Sequence, residues 1–144
     1  MATWIKAGFW ESLCKNCKGY NGWLNLDSFI DSKVPPAPYK SYVAIISQSG
    51  TNAPVVDTLL NNDLGGPVTF SYDQQGEYNI NSSGLFTSNK TVIFVGPGRP
   101  VVTPLLLGTT VASNSLIKLY STNTSNVKTN SLISLVPIEI RVYN

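Results

Sequence analysis

Few residues of this 144-residue chain could carry out acid–base chemistry: it has no histidine and only eight acidic residues. The chain therefore lacks the commonest general base and the commonest metal ligand. The best carboxylate pair is Asp73 and Glu77, which flank one predicted turn, and a glycosidase needs two carboxylates about 5–10 Å apart. Both residues are more simply interpreted as solvated turn residues. We predict that the chain is not an enzyme and has no catalytic residues.

Cys14 and Cys17 have the C-x-x-C spacing, which can supply half of a tetrahedral zinc site or a redox dithiol. A structural zinc site needs four ligands, and the chain has no third cysteine and no histidine. Zinc would then require two chains to share the ion or an aspartate to join the site. We predict two reduced thiols and no cofactor or metal, with a local disulfide or a shared metal as the alternatives.

Aromatic residues are concentrated before the Pro-rich segment Pro35-Pro36-Ala37-Pro38, which is typical of an extended linker. Residues 1–38 are therefore predicted to form an N-terminal arm and linker that anchor the chain. Exposed apolar rings need another surface to bury against. The candidate partner contacts are Trp4, Phe9, Trp10 and Trp23. The alternative is that these rings fold back onto the chain's own core.

Residues 39–144 are predicted to form a β domain, because apolar residues alternate with polar ones between Gly, Pro and Asn turns. The strand candidates are 39–48, 68–73, 77–80, 90–95, 115–120 and 131–143. Residues 55–60 fit a strand or one helical turn, residues 101–107 an edge strand or packed loop, and residues 122–130 an exposed loop. This spacing predicts a mainly β fold, an antiparallel β-sandwich or jelly-roll-like domain preceded by a short irregular N-terminal arm.

The low charge of the chain favours assembly. Charged residues make up 12 % of it, against about 25 % in an average globular protein, so neighbouring copies would repel each other weakly. The net charge is only +2, and no Lys/Arg run offers an electrostatic site for nucleic acid. No apolar run approaches the length of a membrane span, and the opening does not resemble a secretory signal. We predict neither nucleic-acid binding nor membrane insertion, and synthesis in the cytoplasm.

Several short segments carry a resemblance to a known class of module. They are Tyr39-Lys40-Ser41-Tyr42-Val43-Ala44, Gln48-Ser49-Gly50-Thr51-Asn52-Ala53-Pro54, Leu64-Gly65-Gly66, Gly76-Glu77-Tyr78, Phe86-Thr87-Ser88-Asn89-Lys90-Thr91 and Ile138-Glu139-Ile140-Arg141-Val142-Tyr143-Asn144. From Tyr39 onward the chain resembles a module of structural proteins of tailed bacteriophages, particularly Bacteroidetes-infecting and crAss-like phages. Residues 1–34 carry no such resemblance.

The resemblance implies a virion protein made in the cytoplasm of the host bacterium. The expected role is a head fibre, a capsid decoration or another surface subunit, assembled as a homotrimer and in contact with capsid or tail proteins. The alternative is a carbohydrate- or receptor-binding module of a tail fibre that recognises a host surface glycan. Its candidate stacking residues are Tyr20, Tyr72, Tyr78 and Tyr120, although most of these also fit core or sheet-face positions.

Overall fold

The computed structural model describes residues 4–5, 24–25, 37–98 and 106–144. The chain divides into two units, Met1–Ala37 and Pro38–Asn144. In the first unit the described backbone is a short antiparallel pair of β1 (Trp4–Ile5) with β2 (Leu24–Asn25). The remainder of the predicted arm lies outside the described residues.

The second unit is built from eight strands. They are β3 (Tyr39–Ser47), β4 (Val55–Asn62), β5 (Thr69–Gln74), β6 (Glu77–Asn81), β7 (Thr91–Val95), β8 (Leu106–Ser113), β9 (Leu116–Thr122) and β10 (Val136–Tyr143). One four-stranded sheet has the order β4-β3-β10-β7 and the other the order β5-β6-β9-β8, and every neighbouring pair is antiparallel. The predicted antiparallel β-sandwich is confirmed.

The core lies between the two sheets and follows the period of two along each strand. In β9, buried Ile117, Leu119 and Ser121 alternate with less buried residues. The inner face of the first sheet comes from alternating residues of β3 and β10, and that of the second from β6 and β9. The fully buried apolar residues are Ala44, Ile46, Tyr78, Ile80, Phe86, Ile117, Leu119, Val136 and Ile140.

The structure decides between two alternatives in one segment and corrects the start of another. Residues 55–60, which also fitted a helical turn, belong to strand β4. The last strand begins at Val136 rather than at Ser131, because Ser131 and Leu135 have positive φ angles of 60° and 47°. A residue with left-handed backbone angles cannot continue the extended conformation of a β-strand.

The sequence analysis did not anticipate strand β8. An edge strand or packed loop was predicted for residues 101–107, and most of that range lies outside the described residues. The strand found is Leu106–Ser113, at the edge of the second sheet. Gly108 interrupts this segment, and glycine is depleted in strands, although Thr109, Thr110 and Val111 favour one. Pairing with β9 over Leu106 to Ser113 supplies the missing stabilisation.

Candidate assembly surface

Strand β4 is exposed along its whole length, although it is rich in apolar residues. It is one of the two edge strands of its sheet, and all eight residues are exposed. The exposed fractions are 58 % for Val55, 40 % for Val56, 54 % for Leu59 and 62 % for Leu60. Contiguous exposed apolar residues on a sheet edge are typical of interaction surfaces or aggregation sites.

The second sheet does not cover β4. The neighbouring strand β3 faces β5, since the rings of Tyr42 and Phe70 lie 6.5 Å apart between the sheets. β4 lies one strand farther out, so its inward-directed residues Val56 and Leu59 stay exposed. β4 therefore extends beyond the second sheet, and the described part of the chain leaves its apolar side chains in contact with solvent.

Polar side chains hold β4 in place on β3. Two bulges interrupt the pairing and leave Asp57 and Leu60 without a partner in β3. The Asp57 carboxylate accepts a hydrogen bond from Ser47 Oγ at 2.6 Å. Asn61 Nδ2 donates to Ser41 Oγ at 2.9 Å. β4 is thus fixed by hydrogen bonds to one neighbour rather than by burial, and its apolar side chains contribute little to the core.

The opposite edge of the same sheet also exposes apolar side chains. Val92 and Phe94 of β7 are 42 % and 47 % exposed on the outer face. The Arg141 guanidinium on the adjacent strand lies 4.8 Å from the centre of the Phe94 ring and 4.6 Å from that of Tyr39. Such stacking is a cation–π contact.

Arg141 is held over these rings by an acidic neighbour on the same face. Its Nε donates to Glu139 Oε1 at 2.6 Å, and the two residues are two positions apart on β10, so their side chains share a face. This hydrogen bond raises the pKa of the Arg141 guanidinium above its ordinary value, so the group stays cationic. Tyr143 adds a third ring, 5.3 Å from Tyr39. Aromatic residues and arginine are enriched at protein interfaces.

The two carboxylates considered for catalysis each have a lysine partner. Lys118 Nζ lies 2.6 Å from Asp73 Oδ2, and Lys128 Nζ forms an ion pair with Glu77. Glu77 is buried and Asp73 is exposed. These pairs tie β5 to β9 and β6 to the loop after β9, which accounts structurally for both acids.

The four candidate tyrosines do not form one surface. Tyr78 is fully buried and donates to Gln48 Oε1 at 2.8 Å, and burial raises its pKa. Tyr72 packs against it inside the sandwich, with the ring centres 6.1 Å apart. Tyr120 is half-buried on the outer face of the second sheet, and Tyr20 lies outside the described residues.

The candidate anchor and thiol residues cannot be placed. Phe9, Trp10, Trp23, Cys14 and Cys17 lie outside the described residues, and of Trp4 only the backbone pairing in β1 is described. In the part of the chain that is described, three or more potential metal-ligating His, Cys, Asp or Glu side chains do not cluster anywhere. Nor do the described residues include a helix able to span a membrane.

A shallow depression of about 390 Å³ opens beside Gln48. The Gln48 amide is buried, but all its polar atoms are engaged: Nε2 donates to the carbonyls of Gly50 and Asn52, and Oε1 accepts from Tyr78 and from Ser131 N. A buried amide that is fully hydrogen-bonded organises the loops around it and has no group left for a ligand. We interpret Gln48 as structural.

Comparison with known proteins finds no relative: no family model matches the chain, and neither a curated protein nor a solved structure matches it significantly. Function must therefore be argued from the described residues. The surface that stands out is the pair of apolar edges, β4 and β7. Leu59, Leu60, Val92 and Phe94 carry no sequence signal of exposure, because an apolar residue in a strand normally faces the core.

Proposed function

We propose that the chain is a non-catalytic structural subunit of a bacteriophage particle. It would serve as a head fibre, a capsid decoration or another surface subunit, and would assemble as an oligomer, with a homotrimer expected. The resemblance of residues 39–144 to tailed-phage structural modules supports the setting. The single observation that carries the assembly role is the exposure of apolar side chains on both edges of one sheet.

The energy available at these edges suits association between copies. Complete burial of a large aliphatic side chain is worth about 1.5–3 kcal/mol, and the six exposed side chains of β4 and β7 are each close to half exposed. Covering them supplies about 5–9 kcal/mol, against an association cost of about 4–15 kcal/mol. The edges alone thus give a modest contact, strengthened when an oligomer closes or a particle supplies many copies.

The chemistry of the described residues supports a non-catalytic role. The chain has no histidine, and the two acids that flank the β5–β6 turn are each neutralised by a lysine. A general acid–base pair needs one carboxyl group free to exchange its proton with substrate. Asp73 and Glu77 instead resemble ordinary ion pairs that join neighbouring parts of the sheet.

Particle association is the direct test of the proposed role. Phage particles of the genome that encodes this chain would be purified on a density gradient, and their proteins quantified by mass spectrometry. We expect the chain at a fixed copy number relative to the major capsid protein, retained through a second gradient. Recovery in the soluble lysate, with none in the particle band, would contradict the proposal.

Tyr120 favours the second candidate, a carbohydrate-binding module. It lies opposite Gly108 on β8, so that residue has no side chain to cover the ring, while Lys128 Nζ lies over the ring, 5.3 Å from its centre. A partly exposed aromatic ring beside polar groups can stack on a sugar ring. Glycan-array binding that disappears in Tyr120→Ala, but persists in Tyr143→Ala on the other sheet, would support this role, and an array without signal would remove it.

A further inference from the structure

The exposed apolar side chains lie at opposite edges of one sheet. β4 and β7 are the two outermost strands in the order β4-β3-β10-β7. Three interstrand spacings separate them, which is about 14 Å. Among the described residues, two other large apolar side chains are comparably exposed, Leu106 and Val127. A contact that covers only one edge therefore leaves the other apolar edge in water.

The two edges differ in charge. Asp57 lies in β4 and Asp63 directly follows it, whereas Lys90 directly precedes β7. Arg141, on the strand beside β7, forms an ion pair with Glu139 on the same face, so Lys90 supplies the net positive charge of this edge. Lys40, at the start of β3, lies one strand inward from the acidic edge. The ion pairs of the described residues do not include Asp57, Asp63 or Lys90. An acidic apolar edge and a basic apolar edge complement each other, while either edge placed against its own copy would bring like charges together.

We infer that the β4 edge of one copy docks against the β7 edge of the next copy. This inference rests on the proposed function only in taking the partner to be another copy of the chain. The strand directions are compatible, because three successive antiparallel pairings make β4 antiparallel to β7. A β7 edge beside the β4 edge of a neighbour would therefore continue the alternation within the sheet.

Side chains make most of this contact. The bulges at Asp57 and Leu60 interrupt β4, so it cannot offer eight regularly spaced backbone groups to a new strand. Leu60 has no partner in β3 and is the most exposed apolar side chain of the strand. Phe94 is the largest exposed ring on β7. We call the exposed apolar residues of β4 (Val55, Val56, Leu59 and Leu60) the β4 patch and those of β7 (Val92 and Phe94) the β7 patch. Leu60 and Phe94 are the centres of these two patches.

A contact of this kind is heterologous, because it joins two different patches. Heterologous contacts produce closed rings when the rotation between neighbours closes, and open filaments when it does not. Each added copy covers one β4 edge and one β7 edge, so a ring leaves neither exposed. This arrangement agrees with the trimer expected for the proposed subunit.

Two charged variants test the pairing. Leu60→Glu damages only the β4 patch and Phe94→Glu only the β7 patch, and both sites are exposed, so the fold should persist by circular dichroism. Val127→Glu is the matched control, because Val127 is 53 % exposed and lies in the loop after β9, outside both edge strands. Mass is measured by light scattering at matched concentrations in reducing buffer, so that Cys14 and Cys17 cannot link chains.

Mixing distinguishes the heterologous contact from its alternatives. We expect Leu60→Glu and Phe94→Glu to be monomeric separately, and an equimolar mixture to form a heterodimer through the one intact pair of patches. Val127→Glu should keep the wild-type mass. The inference is overturned if either variant alone keeps an oligomer, because a surviving patch then pairs with itself or is not involved. It is also overturned if the mixture stays monomeric or the control dissociates.

Failure of this inference is distinct from failure of the proposed function. The mixing experiment uses purified protein and identifies the contacting edges, whereas the gradient experiment detects the chain in particles. A chain present in particles whose variants violate the mixing pattern keeps the structural role and loses the β4–β7 contact. A chain absent from particles whose variants obey the pattern keeps the contact and loses the phage setting.

Discussion

At the scale of single residues, positive φ angles occur at turns that the strands require. Gly76 has a φ of 67° in the turn between β5 and β6. Its N–H donates to Asn130 Oδ1 at 2.7 Å, and its carbonyl accepts from Ser121 N at 2.9 Å. A Cβ at this position would lie 2.5 Å from Thr129 N and 2.6 Å from Ser121 O. Glycine is needed there for conformation and for space.

We predict that Gly76→Ala lowers the free energy of unfolding by about 2–5 kcal/mol, the sum of left-handed strain and overpacking against backbone. Gly50→Ala is the matched control, because Gly50 has a φ of 59° but nothing within 4 Å of an added Cβ. The control should lose about 1–2 kcal/mol from strain alone. Urea unfolding of both variants measures the difference, and equal losses would refute the steric part of this account.

Arg141 illustrates what a sequence can reveal about a side chain. Alternation in the last strand predicts that Ile138, Ile140 and Val142 share one face, and the structure places Ile138 and Ile140 in the core with Val142 packed against it. The same pattern assigns Glu139, Arg141 and Tyr143 to the opposite face. Stacking of Arg141 on Tyr39 and Phe94 could not be predicted, because it depends on which strands flank β10.

At the scale of elements, alternation predicted the strands that have one buried face. Apolar residues recur at every second position in the segments of β5, β6, β9 and β10, whereas the segments of β3 and β7 are runs rich in β-branched and aromatic residues. The segment of β4 fits a strand or a helical turn, because Val55-Val56 and Leu59-Leu60 are adjacent pairs rather than an alternating row. In the structure these pairs accompany the two bulges and the absence of a covering sheet. A strand that no second sheet covers has no single buried face, so its apolar and polar residues need not alternate.

The two apolar edges show what the sequence can and cannot predict about assembly. The sequence shows that β4 contains apolar residues, but not that they stay exposed within one copy. That property depends on strand order, which places β4 and β7 at the two edges of a four-stranded sheet. The proposed contact sites therefore became recognisable only from the topology, while the aromatic arm predicted from composition lies largely outside the described residues.

At the scale of the whole molecule, low charge and exposed edges favour the same role. A core of alternating apolar residues stabilises each copy, and most of the large exposed apolar side chains of the described residues lie on edge strands. In the described depression beside Gln48, every polar atom of the Gln48 amide already has a hydrogen-bond partner. The molecule thus offers extended surfaces for other chains more readily than an enclosed site for a small ligand.

We propose that the chain assembles with copies of itself, and its molar mass in solution tests this assembly. Light scattering across about 1–100 µM, the range that a modest interface requires, should show a discrete multiple of the 15.6 kDa chain, with three copies expected. The mass should fall toward one copy on dilution. A mass of 15.6 kDa at every concentration would contradict the account.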